Sequence, residues 1–497
     1  MNPIGIIILS LLIIVFLLIL RNYFIGLKDS PREIWLLFSA KLIEYAAYGS
    51  SNMAFVLYLS SDCGLGDIQA GSYIGIWSMV MTSASIFVGS VVDSIGIRKT
   101  LLLGILTLIC GRIIMPFSRD LTIVTFFSFF PIAVGNAILG PVLSVGIKKY
   151  TSGASTSLGF GLFYTMMNIG FALGGYIFDK VRNILGETST TILPILNLSL
   201  STYQIIFLFS FILTIPSLFL VIFIRENPFN ENDHKNSENI EEPILNFRVS
   251  ILIENIRNSS STTFSIMKEV FFEKSFWIYL FTLGILVFIK LVFYHFHYTF
   301  PKYGIRVLGE GAKVGNLYGI VNPVIIIFLV PVVSHFTKSI KSYYMLLIGT
   351  SISVLSIFLC TIKSEHLQWI VDTTLGQFIL SDWLELSIEK QNPLLFGILA
   401  FVIFFSIGES IWSPRLLQLS AEIAPQGREG TYIALSYLPY FLAKLIAGPL
   451  SGWLLATYTP ASASTYPDHY LIWIWIGCMS ALSPLGLLLF RKFYIKN

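Results

Sequence analysis

The chain has 497 residues, of which 55% are hydrophobic and only 12% charged, with a formal net charge of +4. Soluble domains carry about 25% charged residues, so roughly half of the ionic surface that a water-soluble protein needs is missing. That excludes a soluble enzyme and a nucleic-acid binder, and 32 basic against 28 acidic side chains leave too little excess for a polyanionic partner.

A spanning helix takes about 20 mostly apolar residues. Thirteen stretches qualify in chain order: 3–20, 34–60, 69–92, 99–117, 121–147, 156–178, 203–224, 275–299, 312–336, 342–362, 393–417, 430–456 and 470–490. The leading stretch has no basic region before it and no small-residue cleavage site, and it runs straight into Arg21. It is expected as a retained anchor rather than a signal peptide. The polar, Asn/Glu-rich 226–274 segment splits the other twelve into six and six. The expectation is therefore an all-α, polytopic membrane protein. Its parts are an anchor helix and connector (1–33), a six-helix bundle (34–225), a partly disordered linker (226–274) and a second six-helix bundle (275–497). The 363–392 connection, with Trp369, Phe378, Trp383 and Leu386, predicts an external amphipathic helix.

Lysine and arginine orient the spans. With 34–60 entering from the cytoplasm, that side holds 19 of the 32 basic residues, the other side eight, and five lie within spans. The C-terminus and the linker are then cytoplasmic, with the N-terminus on the opposite side. Nothing in the sequence distinguishes a plasma membrane from an endomembrane.

A charge at mid-bilayer costs at least about 2.5–3.5 kcal/mol on insertion scales, so such residues pair or face a wet cavity. Glu44 lies about 15 Å into its span, and Lys41 sits one turn earlier on the same face, predicting an ion pair. Glu409 is slightly past mid-span with no basic neighbour within a turn. Its partner must come from another helix or from cargo; Lys290 and Lys444 are the candidates, or a cationic amine. Trp412, at i+3, offers a wall. Arg112 and Arg415 are expected to snorkel. His295 and His297 face different sides of one helix, which argues against a metal pair; His295 is the candidate for relaying protons. Tyr45, Tyr48, Tyr164 and Tyr440 offer hydroxyl and ring contacts. No metal cluster, nucleophile elbow or phosphate loop is present, so no enzyme chemistry and no cofactor is expected.

Gly89-x3-Asp93-x2-Gly96-x-Arg98-Lys99 resembles the cytoplasmic loop signature of the major facilitator superfamily, which implies a gating role for Gly89, Asp93, Gly96 and Arg98. Two further stretches resemble the proton-dependent oligopeptide transporters. Phe163-Tyr164-Thr165-Met166-Met167-Asn168-Ile169-Gly170 matches that family's fifth-helix pattern. Ser406-Ile407-Gly408-Glu409-Ser410-Ile411-Trp412-Ser413-Pro414, continuing to Ala424-Pro425-x2-Arg428-x-Gly430-Thr431, matches its tenth. The resemblance implies a secondary carrier that works by alternating access, is proton-coupled, and moves small peptides or amino-acid-like solutes. It also implies that Glu409 receives the cargo's amino group. The family's first-helix Glu-x-x-Glu-Arg motif falls on Lys41-Leu42-Ile43-Glu44-Tyr45, with one acid kept and the arginine lost. Its fourth-helix lysine falls on Gly140.

The expected cargo site therefore comprises Lys41, Glu44, Tyr45, Tyr48, Tyr164 and Asn168 on one half and Lys290, Glu409, Trp412 and Lys444 on the other. Glu44, Glu409 and His295 are expected to handle protons. The expected partners are a small-molecule substrate, the proton and the lipid bilayer, with the carrier a monomer. Five basic against two acidic side chains within spans leave a second reading open, a carrier of another small organic anion or metabolite that need not be proton-coupled.

Overall fold

The structure, a computed structural model, describes residues 20–151, 154–187, 189–193, 198–226, 274–337, 340–423 and 438–491, with residues 10, 14, 17 and 18 besides. Most of the 3–20 stretch, the linker beyond residue 226 and the 424–437 segment lie outside the described residues. So do the surroundings of Gly89 and the side chain of Asp93.

Apolar runs of membrane length dictate the architecture. In the first half they form α1 (Arg32–Ser61), α2 (Asp67–Ile114), α3 (Phe130–Lys149), α4 (Ala154–Leu185) and α5 (Thr202–Ile222). Two spans run together in α2, joined at Gly96, whose φ of 84° is open to glycine and strained for other residues. A Cβ there would also meet the Glu226 carboxylate at 2.6 Å. The second half contributes α6 (Lys274–Tyr298), α7 (Val321–Phe336), α8 (Ser342–Ile357), the two-turn α9 (Ser364–Val371), α10 (Leu394–Ile423), α11 (Leu438–Tyr458) and α12 (Leu471–Leu489). Counting α2 twice and setting α9 aside gives twelve long helices among the described residues, six in each half, nine of them long and apolar enough to cross a membrane. The bundle is all-α apart from a hairpin, β1 (Thr190–Leu193) with β2 (Leu198–Ser201), which the apolar periodicity did not announce. Its last residue, Ser201, caps α5 through a reciprocal pair of hydrogen bonds with Gln204.

The 363–392 connection is less regular than expected. α9 buries Leu367 and Val371 and leaves Trp369 exposed, and after it the chain proceeds through single turns that bury Leu380. The connector before α1 is docked: Phe24 stacks on Trp35 at 4.7 Å, and Tyr23 hydrogen-bonds Thr165 on α4.

The halves meet through glycine. Gly71 and Gly75 of α2 pack on Gly448 of α11, where a Cβ on Gly448 would stand 2.8 Å from the Gly75 nitrogen. Gly175 of α4 meets the Gly315 carbonyl in the turn before α7, at 2.8 Å from where its Cβ would be. Such contacts replace side-chain interlock with backbone against backbone.

Candidate functional site

The buried charges separate into two groups. In the first, Glu44 of α1 accepts a hydrogen bond from Arg112 Nη1 of α2 at 2.8 Å, and both side chains are 3% exposed. Ser217 of α5 donates to the other Glu44 oxygen, while Arg112 also donates to Thr214. Ser217 and Thr214 in turn bond α5 carbonyls at 2.7 and 2.8 Å. Three helices of one half thus close around this pair. The expected Lys41–Glu44 pair does not form: one turn of helix brings the two Cα atoms near, but the Glu44 side chain turns toward α2 and α5. Nor does Arg112 snorkel, since its guanidinium has a carboxylate to meet inside the bundle. Arg415 is 6% exposed and donates to the Thr337 carbonyl at 2.7 Å, so it too is anchored within the protein.

The second group lies where the halves meet. Lys41 Nζ sits 4.0 Å from the ring centres of both Tyr45 and Phe163. Lys290 of α6 stands 3.6 Å over Tyr440 and 4.4 Å over Trp412. Lys444 of α11 reaches across to the Tyr48 hydroxyl at 3.5 Å and lies 5.2 Å from the Tyr294 ring and 5.6 Å from Trp77. Tyr164 of α4 hydrogen-bonds Ser413 of α10, and Asn168 holds the Tyr164 carbonyl at 2.9 Å. Glu409 accepts from Asn322 Nδ2 at 3.0 Å, and the same amide donates to Ser406 at 2.9 Å. Lys290 acts on Glu409 electrostatically, yet among the described residues no ion pair within 4 Å holds it. Tyr45, Tyr48, Tyr164 and Tyr440 are half-buried, so the contact between the halves is not sealed here.

The structure therefore brings together nine of the ten expected cargo residues and sets Glu44 apart. It also places the two histidines differently. His295 points at Thr299 (2.7 Å), which bonds Ser451, and its Nε2 is buried without a partner. His297 instead joins the rings of Phe171, Phe293 and Tyr318 beside Lys444. Asn322, Tyr294, Tyr318 and Trp77 went unread in the sequence. Only Asn322 left a signal, a lone amide in the apolar run Val321-Asn322-Pro323.

The family model described as Major Facilitator Superfamily matches residues 37–381. The chain belongs to this superfamily. Among solved structures, the fold is similar to a POT family transporter in complex with 5-aminolevulinic acid (TM-score 0.65, 17% identity, covering 94% of this chain and 97% of the other). It is likewise similar to a POT family transporter in complex with a thioalcohol conjugated peptide (0.65, 18%, 94% and 97%). A third likeness is to a structure described under substrate recognition in proton dependent oligopeptide transporters (0.60, 14%, 92% and 97%). A search of curated proteins returns no match. The chain is thus an integral, multi-pass membrane transporter with the superfamily's twelve-helix fold.

In this member of the superfamily the two ends of the bundle are held differently. At one end the polar contacts cross between halves. Asp67 of α2 takes Lys302 at 2.8 Å and Arg306 at 2.8 and 3.0 Å. Burial alone would raise Asp67, but Arg306 and Lys302 outweigh it and hold the carboxyl below its usual range. Beside it, Arg182 pairs with Glu187 and Asp179 and donates to the Ala312 carbonyl at 3.1 Å. Asp179 also takes the amides of Gly315 (2.9 Å) and Asn316 (2.5 Å). At the other end the contacts among the described residues stay inside one half or the other: Arg415 meets Thr337 in the second, and the rest lie in the first. The amides of Ile97 and Arg98, freed by the break at Gly96, bond Glu226 at 3.2 and 2.7 Å, and Lys149 adds its charge at 3.4 Å. Glu33 bonds Arg225 at 2.6 Å.

Proposed function

We propose that this transporter is a secondary carrier working by alternating access, with a cargo site made of the interface group. The bundles 34–225 and 275–497 rock against each other, while 1–33 anchors the first and 226–274 tethers the two. The excess of basic residues at the Glu226 end makes that end cytoplasmic, with the C-terminus on the same side and the N-terminus opposite. The conformation then has its cytoplasm-distal end latched by Asp67, Lys302 and Arg306 and by Arg182 with Glu187. The carrier acts as a monomer.

The cargo is a small peptide or an amino-acid-like solute. The observation that carries this reading is Glu409. It is 5% exposed, held by one amide, and faced by lysine without contact, on the helix segment that resembles the peptide carriers. A cargo ammonium fits there, with Tyr164 from the opposite half beside it, while the lysines take its carboxylate. A proton competes for the same oxygens. When Glu409 is protonated, Lys290 loses its negative neighbour and becomes available to an anion; when Glu409 is ionised, it draws Lys290 back. That exchange is a route by which a proton gradient drives uptake.

The test is uptake of labelled dipeptides into proteoliposomes, with and without an imposed pH gradient. The unaltered protein is expected to concentrate them when the gradient is present, and Glu409→Gln to lose that concentration. Saturable uptake at the unaltered rate by Glu409→Gln would remove this residue from the site.

A further inference from the structure

We infer that the preferred cargo is acidic, carrying more anionic than cationic groups; this rests on reading the interface group as the cargo site. Four ionisable side chains define the group, Lys41, Lys290, Lys444 and Glu409, at 3%, 1%, 4% and 5% exposure. Three lysines share the group with one carboxyl, and only Lys290 acts on it. Glu44 cannot redress the balance, because Arg112 already claims it. None of the three lysines has a carboxylate within 4 Å among the described residues. Their neighbours are rings, apart from the single hydroxyl of Tyr48.

Rings do not suffice. Each buried ion loses several kcal/mol of solvation even after relaxation, and a desolvated ring contact returns about 2. The uncharged polar atoms have the same bias. Trp77 Nε1, Trp412 Nε1 and the hydroxyls of Tyr298 and Tyr318 are buried without hydrogen-bond partners among the described residues. The indoles only donate and the hydroxyls can donate, so the group is short of acceptors and of negative charge. A zwitterion with one carboxylate and one amine leaves the excess of positive charge unchanged. A cationic cargo worsens it.

The two lysines not engaged by Glu409 are also spaced. Lys41 lies against Tyr45, and Lys444 against the hydroxyl of Tyr48. Residues 41 and 48 of α1 are about 10 Å apart along the helix axis. Two anionic groups at the ends of a short solute reach both poles better than a single carboxylate does. An acidic dipeptide or a similar elongated dianion has that form.

The experiment measures binding to the purified full-length protein, by thermal shift and by competition, for Ala-Ala, Ala-Glu, Glu-Glu and Lys-Ala, with glutarate as a dianion lacking an amine. The expected result is affinity rising by about tenfold or more from Ala-Ala to Glu-Glu, the scale of a desolvated charge pair, with Lys-Ala weakest. K41Q and K444Q should each weaken Glu-Glu binding more than they weaken Ala-Ala binding, removing most of the Glu-Glu advantage. Equal affinities across the series, or a preference for Lys-Ala, overturn the inference and leave the peptide-carrier reading standing. Glutarate binding without any dipeptide binding supports the acidic preference and removes the peptide reading. Binding by none of the five overturns both. Should a lysine variant fail to fold, the series on the unaltered protein decides.

Discussion

Glu44 and Glu409 are both buried carboxylates far inside apolar helices, and the bilayer penalises both alike. Around Glu44 three helices of one half supply an arginine and a serine, and Thr214 takes a further arginine donor. Around Glu409 one amide is supplied, and a lysine that faces the carboxylate without contact. The first pattern is what a helix-packing device requires: charge answered within a single rigid unit. The second leaves charge unanswered at the seam between two units, where a bound solute or a proton can complete it. Burial and depth alone do not separate structural from functional ions. What separates the two carboxylates here is whether a charged side chain touches them: Arg112 contacts Glu44, while Lys290 faces Glu409 without contact.

The sharpest way to break this contrast is Arg112→Met. It strands Glu44 in a dry interior and should cost about 3–5 kcal/mol of stability, measured by unfolding in detergent. The double variant with Glu44→Met should recover most of that loss. No recovery would mean that the pair does more than hold helices together. Glu409→Gln should change stability by less than about 1 kcal/mol, because the amide can still meet Asn322 and no strong pair is broken. Its dipeptide transport should nonetheless fall by at least tenfold, a loss of about 1.4 kcal/mol or more of differential binding. Next comes the latch. Asp67→Asn removes a carboxylate shared by Lys302 and Arg306 and should shift the conformational balance about tenfold toward opening at that end, read from cysteine accessibility there. Because the Asp67 carboxyl lies below its usual range in the closed form, its contribution is fully present above about pH 4 and disappears only as pH falls through the lowered value. Accessibility governed by Asp67 should therefore be flat between pH 5 and 8, and a slope that Asp67→Asn abolishes would contradict this assignment. The smallest effect is expected from Lys41→Met. Removing a buried cation with no acid beside it should leave stability unchanged or raise it by about 1 kcal/mol, the reverse of Arg112→Met.

Much of the fold was legible because membrane crossing is written in run length. Most core spans match their helices to within a few residues, but 121–147 and 312–336 open on looser turns before α3 and α7, α4 and α10 run six or seven residues past 156–178 and 393–417, and 430–437 lies outside the described residues. The Gly96 break stood out because glycine spacing and basic residues coincided. Partner choice was harder to read. Helical spacing put Lys41 beside Glu44, but whether adjacent side chains pair depends on what the neighbouring helices offer, and Arg112 lies 68 residues away. The same limit hid Asn322 from Glu409 and the ring cluster around His297. The hairpin before α5 escaped because two four-residue strands carry too little periodicity to stand out from the loop around them.

Where Gly71 and Gly75 meet Gly448, and Gly175 meets Gly315, the halves touch without teeth. A bearing of bare backbone imposes no rotamer exchange when its two faces tilt, so its friction is independent of whatever lies deeper in the seam. Cargo preference can then drift through changes in lysine, aromatic and amide side chains without retuning the motion. The reverse also holds: one added methyl at Gly448 would jam the joint while leaving the pocket's chemistry intact.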